Sequence, residues 1–198
     1  VMFGMTTGAL TGVLIAKFKI PPFIVTLGTM SIYRSVVQHF FNGGGVRAEG
    51  AQKEAFIAIS NTKIGGSISI IIIYWLILGI IIAAFAARTA TGRHIYAVGS
   101  NEKATLLSGI NVDKIKIITY SISGVLVSIA AIIEAARLGS MNSASSGSSY
   151  EMDAIAAVVI GGTSMSGGRG KVIGTIFGTL TLGVINNMMN LLGVPTFL

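Results

Sequence analysis

The chain has 198 residues, of which 52% are hydrophobic and 11% charged, and its mean hydropathy is +0.80. Water-soluble domains carry about 25% charged residues, which argues against that class. The abundance of apolar side chains excludes a disordered chain, and the absence of cysteine excludes disulfide scaffolds and thiolate metal sites. The composition therefore predicts an all-α protein, a polytopic bundle of transmembrane helices.

The net charge of +7 arises from 14 Lys and Arg against 7 Asp and Glu. On a soluble protein such an excess would suggest nucleic-acid binding. Here the basic residues lie between long apolar runs, which is typical of the cytoplasmic loops of membrane proteins. We therefore interpret the charge as a signal of membrane orientation and expect no nucleic-acid partner.

The first two predicted helices differ in polarity. Residues 1–16 are apolar, begin without an initiator methionine and lack a signal-peptide layout, so they predict a helix cut from a longer sequence. Residues 23–41 follow two prolines and include polar side chains, among them Thr26 and Thr29. This polarity suits a helix that faces protein or water rather than lipid.

Three further segments are long and apolar enough to cross about 30 Å of hydrocarbon, which takes roughly 20 helical residues. They are residues 68–87, 117–133 and 172–192. The second extends to Leu138 if the charged residues near its end lie at the interface, and Gly193 and Pro195 end the third. We predict one spanning helix in each.

Basic residues predict the orientation, because cytoplasmic loops carry an excess of Lys and Arg. The connector between the first two of these spans holds five, namely Arg88, Arg93, Lys103, Lys114 and Lys116. We therefore expect this connector to be cytoplasmic, and residues 42–66 and 139–150 to be external.

Residues 153–171 do not fit a single spanning helix. The apolar run 154–160 would rise only about 10 Å as a helix, and a stretch rich in glycine and serine follows it. Two interpretations are open: a re-entrant half-helix, or a short broken helix that crosses inside the bundle with its backbone buried in protein. Arg169 and Lys171 favour a cytoplasmic turn and hence the crossing.

The glycine-rich run 167–171 does not match a nucleotide-binding loop. A phosphate loop needs Gly five residues before its Gly-Lys pair and Ser or Thr after it, but Met165 and Val172 stand there. Small residues spaced along two helices instead predict close helix packing; these are Gly170, Gly174 and Gly178, and Ser121, Gly124 and Ser128. No nucleophile with its base and no metal-ligand spacing is visible, so we predict neither an enzyme nor a metal site.

Asn186 and Asn190 share one face of the last predicted helix. Amide side chains in a membrane need partners, so interhelical hydrogen bonding is the first interpretation and contact with a transported ligand the second.

Residues 92–111 have the layout of a short capped helix. An Asn or Ser before residue 102 supplies the N-cap, and Gly109 stops the helix after residue 107. Such an amphipathic helix could dock on a soluble partner or lie on the bilayer surface.

Several blocks carry a resemblance to a known family. They are the connector at 92–111, Pro-Pro-Phe-Ile-Val-Thr-Leu-Gly-Thr-Met at 21–30 and Tyr-Glu-Met-Asp-Ala-Ile-Ala-Ala-Val-Val-Ile-Gly-Gly-Thr-Ser at 150–164, followed by Gly-Gly-Arg-Gly and an Asn pair at 186–187. The chain resembles the permease (transmembrane) subunit of sugar-type binding-protein-dependent ABC importers, the ribose permease-like family. The family's first helices and its last helix have no counterpart here, and Thr105 stands where alanine is more usual.

The resemblance implies a single permease domain over residues 1–198, cut at both ends, in the bacterial cytoplasmic (inner) membrane, with residues 92–111 as its cytoplasmic coupling loop. It implies transport of a monosaccharide, ribose or a related sugar, by alternating access. ATP would be hydrolysed by separate ATPase subunits, so this chain itself needs no cofactor. The other implied partners are an extracytoplasmic sugar-binding protein, a second permease copy or paralogue, and membrane lipid.

Two sets of residues follow from these inferences. The resemblance implies ATPase coupling through Gly92, Gly99, Asn101, Glu102, Ala104 and Gly109. Polar side chains on otherwise apolar spans are the candidates for lining the translocation path, namely Thr26, Thr29, Asn186 and Asn190. The alternative function is an ATP-independent channel that uses the glycine-rich segment as a re-entrant filter.

Overall fold

The computed structural model describes residues 1–50, 53–64 and 68–193. Its elements, in chain order, are α1 (Met2–Phe18), α2 (Pro22–Phe40), β1 (Gly45–Arg47), α3 (Lys53–Asn61), β2 (Lys63–Ile64), β3 (Ile68–Ser69), α4 (Ile70–Arg88), α5 (Ala90–Ser100), α6 (Glu102–Leu107), α7 (Val112–Leu138), β4 (Ser140–Asn142), α8 (Tyr150–Ile160) and α9 (Val172–Leu191). Strands β1 and β4 pair antiparallel, as do β2 and β3. Over these residues the predicted all-α class is confirmed.

Each of the five long predicted helices is present. The helix predicted at 117–133 begins earlier, at Val112, because the side chain of Asn111 accepts a hydrogen bond from the backbone N–H of Lys114 at 2.9 Å. It ends at Leu138, as predicted, where Gly139 adopts a left-handed backbone with φ 66°. The last helix ends at Leu191, and the predicted stop at Pro195 lies outside the described residues.

Helices α4, α7 and α9 are each long and apolar enough to cross a membrane. Helix α1 is apolar but has only 17 residues, and α2 is not among the candidate spans although it has 19. The lower hydropathy of α2 agrees with the polar character that its sequence predicts. The described part of the chain is thus that of a multi-pass membrane protein.

The chain divides into two compact units. The first comprises Val1–Leu76 and Gly109–Ser146, and the second comprises Ile77–Ser108 and Gly147–Leu198, of which the structure describes residues up to 193. Most of α4 belongs to the second unit.

In the first unit, α1 and α7 pack backbone to backbone. A Cβ atom placed on Gly8 would collide with the carbonyl of Tyr120, and one placed on Gly124 would collide with the carbonyl of Gly4. The side chain of Ser128 lies against Gly4. The packing role predicted for Gly124 and Ser128 is therefore confirmed, and α1 supplies the complementary glycines.

The connector between α2 and α4 contains structure that the sequence analysis did not predict. Helix α3 packs on α7, where the hydroxyl of the buried Ser60 donates a hydrogen bond to the carbonyl of Ile133 at 2.7 Å. Local sequence does not predict this short helix, because its stability depends on docking against α7, where Ser60 finds its hydrogen-bond partner.

In the second unit, α8 and α9 pack in antiparallel directions along the predicted glycine face. A Cβ on Gly174 would collide with the carbonyl of Gly161, and one on Gly178 with that of Ala157. The packing predicted for Gly174 and Gly178 is confirmed, but Gly170 precedes α9, which begins at Val172, and lies against Thr163 instead.

Candidate functional site

The connector at 92–111 contains two helices rather than one. Helix α5 begins after Thr89, whose hydroxyl oxygen accepts a hydrogen bond from the N–H of Gly92 at 3.0 Å and donates to the carbonyl of Phe85 at 2.7 Å. Helix α5 was not predicted, although Thr89 is a recognisable N-cap three residues before Gly92.

Helix α6 has the bounds that its capping residues predict. The side chain of Asn101 accepts a hydrogen bond from the N–H of Ala104 at 3.0 Å, and Gly109 has a left-handed φ of 80° just beyond the helix. The local sequence is sufficient here because both ends are determined by residues within the segment.

One face of α6 is buried and the other is exposed. Thr105 is 5% exposed, and its hydroxyl donates to the carbonyl of Asn101 at 2.8 Å. Leu106 and Leu107 are 61% and 88% exposed, and Glu102 and Ala104 are exposed beside them. A pair of exposed leucines within a polar rim is typical of a surface that a partner covers.

Asn101 provides a direct test of this helix. We expect Asn101→Ala to cost about 1 kcal/mol of α6 stability, since an N-cap amide is lost, and to speed amide exchange in α6 roughly fivefold. Hydrogen exchange followed by peptide mass spectrometry checks this.

The matched control is Asn111→Ala, which removes the cap of α7 and should leave exchange in α6 unchanged. Equal exchange in α6 of the Asn101→Ala variant and the unmodified protein would contradict the capping role.

The predicted coupling residues divide into two groups. Asn101, Glu102 and Ala104 belong to the exposed helix α6 and its cap, with Gly109 beyond its end. Gly92 instead is buried, and a Cβ there would lie 2.6 Å from the carbonyl oxygen of Phe85. Gly99 packs against residues 167–168, where a Cβ would lie 2.8 Å from the nitrogen of Gly168.

We call residues 161–171 the glycine-rich turn. Gly162, Gly167 and Gly168 have φ values of 81°, 86° and 72°, which side-chain-bearing residues rarely adopt. The N–H of Ser164 donates to the carbonyl of Arg169 at 2.8 Å and closes the turn. The turn thus has a defined backbone shape that depends on glycine.

Helix α5 holds the glycine-rich turn from one side. The hydroxyl of Tyr96 donates a hydrogen bond to the carbonyl of Gly170 at 3.1 Å, and a Cβ on Gly167 would lie 2.5 Å from the carbonyl oxygen of Gly99. Gly99 was predicted as a coupling residue, but Tyr96 and the contact itself were not predicted, since no local spacing relates residues about 70 positions apart.

The predicted path residues lie on two helices. On α2, the hydroxyl of Thr26 donates to the carbonyl of Phe23 at 3.1 Å, and that of Thr29 to Val25 at 2.9 Å. On α9, the side-chain amides of Asn186 and Asn190 are exposed and form no hydrogen bond in the described part of the chain. The interhelical hydrogen bonds expected of these amides are therefore not formed within the described chain.

Helix α2 also borders a cavity of about 520 Å³ in the first unit. Tyr33 and Arg34 line it from α2, Phe41 from just beyond the end of that helix, and Asn142 from β4. The guanidinium of Arg34 donates to the carbonyl of Ala144 at 2.7 Å, which fixes the segment after β4 over this end of α2. Neither Thr26 nor Thr29 lines this cavity.

Comparison with known proteins identifies the family. A family model described as "Branched-chain amino acid transport system / permease component" matches residues 1–198. The chain is 46% identical over 200 residues to the ribose import permease protein of Escherichia coli strain K12, covering 98% of this chain and 60% of that protein. It is 41% identical over 193 residues to the ribose import permease protein of Bacillus subtilis strain 168, covering 94% and 57%.

A xylose transport system permease protein of Haemophilus influenzae is 49% identical over 121 residues, covering 61% of this chain and 32% of that protein. The chain therefore spans about 60% of the length of the ribose permeases that it matches. No solved structure matches. The match over residues 1–198 shows that the chain belongs to the family of transport-system permease components, which are transporter subunits and not enzymes.

Proposed function

We propose that this chain is the membrane-spanning subunit of an ABC importer for a monosaccharide. The permease family supports the transport role, and ribose and xylose in the names of its relatives support a sugar as substrate. The observation that carries the coupling to ATP is the capped helix α6 with its exposed Leu106 and Leu107.

In this mechanism α6 seats in a groove of a separate cytoplasmic ATPase subunit. ATP binding and hydrolysis there move the helices and expose the path alternately to the two sides of the membrane. A binding protein delivers the sugar to the external segments 42–66 and 139–153. A second permease copy or paralogue completes the transporter in the bacterial inner membrane.

Contacts within the second unit support the crossing of residues 153–171 over the re-entrant interpretation. The glycine-rich turn lies against α5, which directly follows the end of α4. A re-entrant segment would place its turn part-way along the neighbouring span, whereas Tyr96 and Gly99 of α5, beyond the end of α4, contact this turn. In this proposal the chain passes along α8 to the side of the membrane where α4 ends.

The same contacts count against the channel alternative. A filter needs backbone carbonyls that face a water-filled path. Here Gly161, Gly174 and Gly178 lie in helix packing, and Gly167 and Gly168 lie against α5. The candidates for contact with the sugar are Thr26, Thr29, Asn186 and Asn190, whose hydroxyl and amide groups match sugar hydroxyls.

Reconstitution tests the proposal. The permease is placed in liposomes with the ATPase subunit and the binding protein encoded beside it, and uptake of labelled ribose, xylose and leucine is measured with and without ATP. We expect ATP-dependent uptake of a sugar. Uptake of leucine instead would contradict the sugar assignment, and flux without nucleotide or ATPase would favour the channel.

A further inference from the structure

A continuous series of backbone contacts joins α6 to the α8 and α9 pair. Helix α6 follows α5 directly, with Asn101 capping one helix and ending the other. Helix α5 contacts the glycine-rich turn through Tyr96 and Gly99. The glycine-rich turn connects α8 to α9, and these two helices pack against each other at Gly161 and Gly174.

The contact between α5 and the turn is a stiff one. Gly99 and residues 167–168 approach with no side chain between them, so that a Cβ on Gly168 would lie 2.6 Å from the Cα of Ser100. Where two backbones pack closely, no side chain can rotate to absorb a displacement of α5. The displacement is therefore transmitted to the turn. The hydrogen bond from Tyr96 to the carbonyl of Gly170 ties the end of the turn to the same helix.

We propose that Tyr96 and Gly99 are positioning residues, which transmit the movement of α6 to the α8 and α9 pair. This inference rests on the function proposed above, because it requires α6 to be moved by an ATPase. Neither residue contacts the ATPase or the sugar in this role. They act by making α5, the glycine-rich turn and the two helices move as one body.

Loss of the contact between α5 and the glycine-rich turn has a different consequence from loss of α6 docking. Without α6 docking, the ATPase and the permease separate. Without the α5 contact, the ATPase still binds and hydrolyses ATP, but α8 and α9 no longer follow α5. The distinguishing quantity is therefore the amount of sugar transported per ATP hydrolysed.

The first test compares Gly99→Ala and Tyr96→Phe with the control Gly183→Ala in the assembled transporter. Gly99→Ala places a methyl group against the turn, Tyr96→Phe removes one hydrogen bond, and a Cβ on Gly183 meets nothing within 4 Å. We expect sugar transported per ATP to fall about tenfold in Gly99→Ala, a typical size for coupling between sites. We expect a smaller fall in Tyr96→Phe and no change in the control.

The second test measures the movement directly and does not depend on uptake. The chain contains no cysteine, so spin labels at Arg93→Cys on α5 and Leu180→Cys on α9 report a single distance when the labelled permease is diluted with unlabelled permease, so that each transporter holds one labelled copy. Both side chains are exposed and both lie in the second unit. We expect this distance to stay the same with and without trapped ATP, and to change or broaden when Gly99→Ala is added.

The two possible failures are distinct. If the unmodified complex shows no ATP-driven sugar uptake, the proposed function is wrong. If it transports sugar and Gly99→Ala keeps both the transport ratio and the constant label distance, the positioning role is wrong. A distance that changes on ATP trapping in the unmodified protein would also overturn it. If Gly99→Ala prevents assembly of the complex, Tyr96→Phe becomes the deciding variant. An unaltered ratio of sugar transported to ATP hydrolysed and an unaltered label distance in Tyr96→Phe would then reject the positioning role.

Discussion

Replacing Leu106 and Leu107 by glutamate should abolish ATP-driven uptake while the permease stays in the membrane. Both side chains are exposed in the isolated chain, by 61% and 88%, so their replacement leaves the packing of the chain intact. In the transporter they would be covered by the ATPase, where truncating one anchor residue costs about 2 kcal/mol or more. We expect each substitution to weaken ATPase binding about thirtyfold.

The matched control for ATPase binding is Met165→Glu; uptake is not compared in this variant, because Met165 lies in the glycine-rich turn. Met165 is 78% exposed and lies in the same unit as α6, but outside that helix. Co-purification of the ATPase with tagged permease and uptake in proteoliposomes are the measurements. ATPase binding that is equally strong in the double variant and in the unmodified permease would show that α6 is not the docking helix.

Gly178→Leu should have the largest effect on folding. Gly178 is buried, and even a methyl group there would collide with the carbonyl of Ala157. A leucine must separate α8 from α9, which removes the close backbone packing that holds membrane helices together. Overpacking of this kind costs roughly 1–3 kcal/mol and sometimes more.

Gly183→Leu on the same helix is the control, because a Cβ at that position has open space. Thermal unfolding of the purified permease in detergent should show a lowered midpoint for Gly178→Leu only. Equal midpoints for the two variants would contradict the assigned α8 and α9 interface.

Local sequence predicts those features of the fold whose causes are local. The bounds of α6 follow from Asn101 and Gly109, and α4 follows from its uninterrupted apolar run. The glycine spacing of α9 predicts a packing face but does not identify the helix that packs on it. The structure shows that this helix is α8. In α1, Gly4, Gly8 and Gly12 have the same spacing and could have been recognised by the same argument.

Other features depend on distant parts of the chain and have no local signal. Helix α3 is stabilised where Ser60 meets α7, and no property of residues 53–61 indicates that docking. The contact of Tyr96 and Gly99 with the glycine-rich turn joins two segments about 70 residues apart. The exposed amides of Asn186 and Asn190 find no partner in the described chain, which agrees with a surface that faces the path or another subunit.

The side of the membrane that carries α6 tests the central claim most directly. Because the chain has no cysteine, Lys103→Cys can be labelled with a maleimide that does not cross membranes, with Ser145→Cys as the external control. In cells with a permeable outer envelope we expect labelling of Ser145→Cys alone, and in inside-out vesicles labelling of Lys103→Cys alone. Labelling of Lys103→Cys from outside such cells would contradict a cytoplasmic helix driven by an ATPase.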